Sequence, residues 1–261
     1  MLKKRLIFTL LFNENNFVLS RNFGLQKVGD LNWLEKNYRF SKVASSIDEL
    51  IILDVSRTER DISIFSDQIK NLTKECFVPI AAGGGIKALE DASIILRSGA
   101  DKIVLNSLLF EDSKEVEKIS KKFGKQSIVA SVDLKKEKDQ YRIFVKNGLK
   151  KIDISAKEWI KEINRMPVGE IIINSIDQDG TAQGLDLQIL DLIDQDFNMP
   201  LILAGGAGHH LHISKALEHK NVDAVSTAHL FNFVGDGLKK CRDGLISEGF
   251  ELAYWEKNIR E

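Results

Sequence analysis

The chain has little cysteine. Cys76 and Cys241 are the two thiols in 261 residues, too few for the disulfide framework of a small secreted domain, and both are expected to be reduced. Proline is almost as scarce. Pro79, Pro167 and Pro200 all fall near the entry to an apolar run, where a missing N–H costs a strand least. No apolar run approaches the roughly 18 residues needed to span a bilayer. The opening stretch MLKKRLIFTLLF is basic and then apolar. Its apolar part is short, and Asn13–Asn16 follows without a small-residue cleavage site, so a buried first strand is expected and not a secretory signal. A net charge of −1 removes the electrostatic case for nucleic acid. Neither a membrane nor a nucleic acid is expected as a partner, and the cytoplasm is the expected location.

What is present points to a large core. Hydrophobic residues make up 43% of the chain and charged ones 29%, which suits a globular domain and excludes a disordered one. Eight apolar runs can be placed: Arg5–Leu11, Glu49–Asp54, Val78–Ala82, Lys102–Asn106, Ser127–Asp133, Glu170–Asn174, Leu201–Ala204 and Ala224–Thr227. Most are continuous and not alternating, as strands buried on both faces require. Helix-like stretches lie between them at Leu89–Arg97, Ser113–Phe123 (with Ser113 as the expected cap), Ala156–Arg165 and Leu187–Leu192. Lys135–Arg142 reads as a charged hairpin tip.

The chain also repeats itself. DELIILDVS, VPIAAGGGI and GADKIVLNS return as GEIIINSID, MPLILAGGAG and VDAVSTAHL. One interval separates Glu49 from Glu170, Pro79 from Pro200 and Gly84 from Gly205. It is far longer than the roughly 20–50 residues of a solenoid unit. A half-domain duplicated onto itself, with strands and helices alternating, predicts an α/β fold: a single (βα)8 TIM barrel over residues 1–261 with a two-fold half-barrel repeat.

In such a barrel, chemistry sits at the C-terminal strand ends. Four of these ends read as phosphate cradles: Gly83-Gly84-Gly85, Asn106-Ser107, Asp179-Gly180-Thr181 and Gly205-Gly206-Ala207-Gly208. Glycine lets a backbone N–H approach an anion closely. Tight βα turns would use the same glycines, but two such loops at matching positions favour phosphate. Cradles on opposite rims predict a ligand with a phosphate at each end.

The run VPIAAGGGIKALEDASIILRSGADKIVLNS, with SVD at 131–133, NSIDQDGTAQG at 174–184 and AGGAG at 204–208, resembles the cyclase subunit of imidazole glycerol phosphate synthase, from about Arg5 to Phe233. The resemblance implies a glutamine-dependent synthase (a lyase of histidine biosynthesis). In that family the barrel receives ammonia from a class I glutaminase docked on its N-terminal face and closes an imidazole ring on a ribonucleotide bearing two phosphates. It implies phosphate contacts at Gly85, Asn106, Ser107, Asp179, Gly180, Gly206 and Ala228. It implies an ammonia gate at the N-terminal strand ends formed by Arg5, Glu49, Lys102 and Glu170, with Asp101 facing the glutaminase. No cofactor and no metal are implied.

The departures are as informative. The family uses two aspartates as general acid and base. Asp133 matches the second, but the first strand reads FTLLF, which puts Leu11 where the first should stand. Leu19 replaces an expected lysine, with Arg21 close by, and His229 replaces a small hydroxyl residue. A leucine cannot transfer a proton, and losing a positioned acid or base costs about 10²–10⁴-fold in rate. Asp54, ending the second strand, is a further lumen-facing carboxylate that could position substrate or orient Asp133. The leading expectation follows family members that lack the first aspartate. Those members resemble this chain more closely and accompany surface-polysaccharide pathways, passing ammonia to a separate sugar amidotransferase. The alternative is a working cyclase that tolerates Leu11, and a third reading is a scaffold that only activates the glutaminase. His209, His210 and His212 lack a partnered ligand set and read as a loop surface. Trp33, Trp159 and Trp255 read as packing residues.

Overall fold

The structure is a computed structural model that describes residues 3–38, 43, 45–229 and 235–253. In chain order its strands are β1 (Arg5–Asn13), β2 (Asn16–Arg21), β3 (Gly24–Gly29), β4 (Glu49–Asp54), β5 (Ile80–Gly83), β6 (Lys102–Leu105), β7 (Ile128–Glu137), β8 (Gln140–Val145), β9 (Lys150–Ser155), β10 (Glu170–Ser175), β11 (Leu201–Ala204) and β12 (Ala224–Thr227). Strands β1, β4, β5, β6, β7, β10, β11 and β12 pair in parallel in that order, and β12 returns to β1. This is the closed (βα)8 barrel expected from the sequence.

The helices are α1 (Leu31–Tyr38), α2 (Ile62–Glu75), α3 (Leu89–Arg97), α4 (Ser107–Glu111), α5 (Ser113–Phe123), α6 (Ala156–Ile163), α7 (His210–Leu217) and α8 (Gly237–Ser247). Their starts follow local chemistry. Asp61 caps α2 by accepting from the Ser63 and Ile64 N–H groups, and Ser155 caps α6 by accepting from Glu158. For α5 the cap is Asp112, one residue before the expected Ser113. Leu187–Leu192 forms a 3₁₀ helix behind Asp186 instead of an α-helix. No helix among the described residues is long and apolar enough to cross a membrane.

The repeat is visible in the hydrogen bonds. The Leu50 N–H donates to the Pro79 carbonyl at 2.9 Å, and the Ile171 N–H to the Pro200 carbonyl at 3.0 Å. The Ile80 N–H donates to the Asp101 carboxylate at 2.8 Å, and the Leu201 N–H to that of Asp223 at 2.9 Å. Each half also opens the same way. β1 runs on into the antiparallel β2–β3 excursion, and β7 into β8–β9. The hairpin expected at Lys135–Arg142 turns at Lys138 and Asp139, both with positive φ. Its counterpart at Glu14 and Asn15 was not anticipated from the sequence.

Two apolar layers hold the barrel. The larger lies between strands and helices; Leu6, Phe8, Leu50, Ile103, Ile171 and Leu203 contribute to it. The smaller fills the lumen with Ile7, Ile51, Ala81, Val104, Val129, Ile172, Ile202 and Ala224, one from each barrel strand. Each Ile or Val so buried stabilises by about 1.5–3 kcal/mol. Cys76 and Cys241 are buried free thiols. Beneath the floor, Arg242 of α8 makes a buried bidentate pair with Asp48 at 2.9 and 3.1 Å, which ties the last helix to the start of β4.

Candidate functional site: a charged floor below a polar cavity

Four strands bring Arg5, Glu49, Lys102 and Glu170 together at the N-terminal mouth. Arg5 donates to Glu49 at 2.8 Å and also to Glu170. Lys102 donates to Glu49 at 2.9 Å and to Glu170 at 3.0 Å. Cation and anion alternate around a closed ring. Both carboxylates are buried, at 2% and 6% exposed, while the two cations keep partial access to solvent. Burial pushes the Glu49 carboxyl upward, and Lys102 opposes that rise. Burial also works against the charge on Arg5, but Glu170 and Glu49 together outweigh it. Charges taken this far from water persist because each has two partners.

Asp101 lies beside this ring and is exposed. Its carboxylate accepts from the Ile80 N–H, as Asp48 accepts from Leu6 and Asp223 from Leu201. Three barrel strands thus begin with the same aspartate tie to the strand before them, which gives Asp101 a structural duty of its own.

Above the apolar lumen layer a cavity of about 720 Å³ opens at the C-terminal strand ends. Asp133 of β7 stands in it. One carboxylate oxygen accepts from the Asn106 amide at 3.1 Å and the other from the Asn174 amide at 3.3 Å. Burial raises its pKa to about 7, against the pull of those two amides and with the negative charge of Asp179 adding to the rise. A carboxyl poised there can give or take a proton near neutral pH. Leu11 lines the same cavity. It pairs with Leu53 across β1 and β4 as Asp133 pairs with Asn174 across β7 and β10, so Leu11 and Asp133 hold matching positions in the two halves. Lower in the lumen, the Thr9 and Ser226 hydroxyls share a hydrogen bond of 2.5 Å.

Asp54 lines the cavity but does not orient Asp133. Its carboxylate accepts from the Ser56 N–H at 2.9 Å and lies 3.7 Å from the Arg60 guanidinium. The residues that orient Asp133 are Asn106 and Asn174. Asn106 is therefore turned into the lumen toward Asp133 and the Ser131 carbonyl, and Ser107 accepts from the Lys146 N–H.

The expected cradles prove unequal. Gly85, Gly180, Gly206 and Ala228 all line the cavity. At Gly180 and Gly206 the room left by a missing side chain is filled by backbone: a Cβ would lie 1.9 Å from the Ser20 carbonyl oxygen or 2.0 Å from that of Gly184. Close chain packing accounts for both glycines without a ligand. At Gly85 the nearest neighbour is the flexible Arg60 side chain. Asp179 is buried and accepts from the Ser20 hydroxyl and the Phe23 N–H. Burial raises the Asp179 carboxyl and lowers the nearby His229 imidazole.

Arg57, Arg60, Lys87 and Lys146 also line the cavity, and the sequence reading passed over them. Their signal was available, since Arg57 and Arg60 directly follow the C-terminal end of a barrel strand, where loops build the site. His209, His210 and His212 lie at the start of α7, with His209 capping it, and no metal-holding group of His, Cys, Asp or Glu occurs among the described residues. Trp159 is buried edge-on against Phe110, and Trp33 packs by Gly29 and Tyr38. Trp255 lies outside the described residues.

The model of the histidine biosynthesis protein family matches residues 32–235. The chain belongs to this family. It is 47% identical over 93% of its length, and 90% of the relative's, to a protein of Parasynechococcus marenigrum that carries the provisional name imidazole glycerol phosphate synthase subunit hisF2. It is 33% identical to the imidazole glycerol phosphate synthase subunit HisF of Clostridium botulinum, over 97% of this chain and 99% of that one. To the HisF subunit of Dictyoglomus thermophilum it is 36% identical, over 89% and 91%. The chain is thus a homologue of the HisF cyclase subunit.

Proposed function

We propose that this HisF homologue receives ammonia from a class I glutaminase on its N-terminal face, conducts it through the barrel and binds a phosphorylated small molecule in the upper cavity. Its end use is amidation of a surface-polysaccharide sugar with a separate sugar amidotransferase. One combination carries the reading: an intact paired ring at the floor beneath a cavity where Leu11 faces the place of a second acid. Aliphatic residues could close a barrel floor as stably as buried ion pairs, so a ring whose two cations keep partial access to solvent supports a gate. Asp101, exposed beside it, is proposed to meet the glutaminase as well as tie β5. Ring closure needs an acid and a base on opposite sides, and only Asp133 remains in matching position.

One observation favours a second reading. Asp133 keeps a pKa of about 7 and two orienting amides, as a working cyclase would require.

The test is co-purification of this chain with a class I glutaminase from the same organism, followed by glutaminase rates with and without the chain. Association with an accelerated rate is expected, and Lys102→Met should uncouple glutamine hydrolysis from ammonia delivery while leaving the barrel folded. A stable complex with an unchanged glutaminase rate refutes the reading.

A further inference from the structure

Two matched pairs of side chains line the cavity from opposite halves of the barrel. In the second half Asp133 of β7 stands beside Asn174 of β10. In the first half the same places on β1 and β4 are taken by Leu11 and Leu53. One pair offers hydrogen bonds and the other offers none. Backbone register does not force the difference, because the same parallel ladder joins both pairs.

The apolar wall continues from Leu11 and Leu53. Phe65 of α2 and Ile86, just after β5, are buried and line the cavity too, and Leu25 of β3 joins them. The polar groups beside this wall are engaged elsewhere. Strands β1 and β4 contribute Thr9, Leu11, Leu53 and Asp54 to the cavity. The Thr9 hydroxyl shares its hydrogen bond with Ser226. The Asp54 carboxylate accepts from the Ser56 N–H and lies beside Arg60. Across the lumen the Asn106 and Asn174 amides fix both oxygens of Asp133. A carboxyl held in this way accepts from an N–H when ionised and donates to a carbonyl when protonated.

A hydroxyl or a charged group laid on Leu11 and Leu53 would give up water without gaining a partner. A hydrocarbon group laid there gains by leaving water. The cavity measures about 720 Å³, within the roughly 300–1,000 Å³ of small-molecule sites, which combine apolar walls with a few placed polar groups. We infer that the small molecule bound here carries an acyl group, its carbonyl or amide at Asp133 and its hydrocarbon part against Leu11 and Leu53. The two leucines then determine specificity, and Leu11 does more than vacate the place of an acid. The inference rests on the reading of the cavity as a small-molecule site and names the part of the molecule that meets β1 and β4.

The experiment measures a slope. Formamide, acetamide, propanamide, butanamide and pentanamide are titrated into the intact chain and followed by ligand-observed NMR. Leu11→Asn, Leu53→Asn and Asp133→Asn are run in parallel, with circular dichroism confirming that each is folded. Leu11→Ala stands in where an asparagine variant does not fold. From acetamide upward the parent should bind about fourfold tighter for each added methylene. Either leucine variant should cut that gain to less than twofold. Asp133→Asn should weaken every member by a similar factor and keep the slope. A parent slope below twofold, or a slope unchanged in both leucine variants, would overturn the inference. Either result alongside an intact, accelerated glutaminase complex overturns this inference alone. A missing complex with the slope present overturns the ammonia reading and leaves the acyl subsite standing.

Discussion

Glu49 in the first half and Glu170 in the second hold matching places at the barrel floor, and both are buried. The cations between them are not matched. Arg5 and Lys102 both come from the first half, and their positions in the second half are taken by Ser127 and Ala224. At the opposite end the second half supplies Asp133 and the first half Leu11, while the first half supplies Arg57 and Arg60 against Gln178 and Thr181. The duplicated backbone is thus kept nearly intact while charge has been redistributed over it. Packing constrains the strands from both faces, so backbone hydrogen bonds and turn glycines stay paired. Side chains facing the lumen meet only one another or a ligand, and they are where the halves diverge.

The largest test of this comparison lies at the floor. Glu49→Gln and Glu170→Gln each leave two cations facing one carboxylate, and each should destabilise by about 3–5 kcal/mol in urea denaturation. The two losses should agree to within about 1 kcal/mol, because each glutamate pairs with both Arg5 and Lys102. A large inequality would break the claim that the two positions are equivalent.

Next come the paired turn glycines. Gly84 and Gly205 both have positive φ, and a Cβ would lie 2.1 Å from the Asp54 carbonyl oxygen in the first case and 2.6 Å from that of Ser175 in the second. Alanine at either should cost about 1–3 kcal/mol, with Gly84→Ala the worse. Thermal unfolding of the two variants side by side measures this, and equal stability to the parent would mean that the loops carry no such packing.

A smaller effect separates Asp133 from its matching Leu11. The Asp133 carboxyl titrates at about 7, above the roughly 3.9 of an unfolded aspartate. Between those values the folded state binds more protons than the unfolded state, so this group makes stability fall as pH rises. Asp133→Asn should therefore raise the unfolding temperature at pH 8 relative to the parent and do so less at pH 5. Water in the cavity screens much of the effect, leaving about 1 kcal/mol. A gain that is larger at pH 5 would contradict the sign.

The barrel was legible in the sequence because its strands are buried on both faces and read as continuous apolar runs. The β2–β3 excursion was not, since NFVLSRNFGLQKVG mixes polar and apolar residues on an exposed ribbon and its turns use Glu14, Asn15, Asn22 and Phe23 with positive φ where glycine would have given a signal. The four floor residues were legible through the family resemblance, which placed two cations and two carboxylates at the starts of four strands. The full reason for the glycine loops was not legible. Gly180 and Gly206 answer first to neighbouring backbone, a contact between distant segments that no local pattern records. Arg60 had a local signal in its place just after the Glu49–Asp54 strand, but its contacts with Gly85 and Asn147 come from distant segments.

On the proposed reading this barrel keeps the charged floor of its family and lacks the ring-closing chemistry above it. Ring closure driven by ammonium salt tests it most directly, because no glutaminase is needed. With the family's two-phosphate ribonucleotide as substrate, the parent chain should turn over far below the usual enzyme range of about 1–10³ s⁻¹, and Leu11→Asp should raise the rate at least tenfold by returning a carboxylate opposite Asp133. A parent turnover inside that range would contradict the account and make this chain a working cyclase.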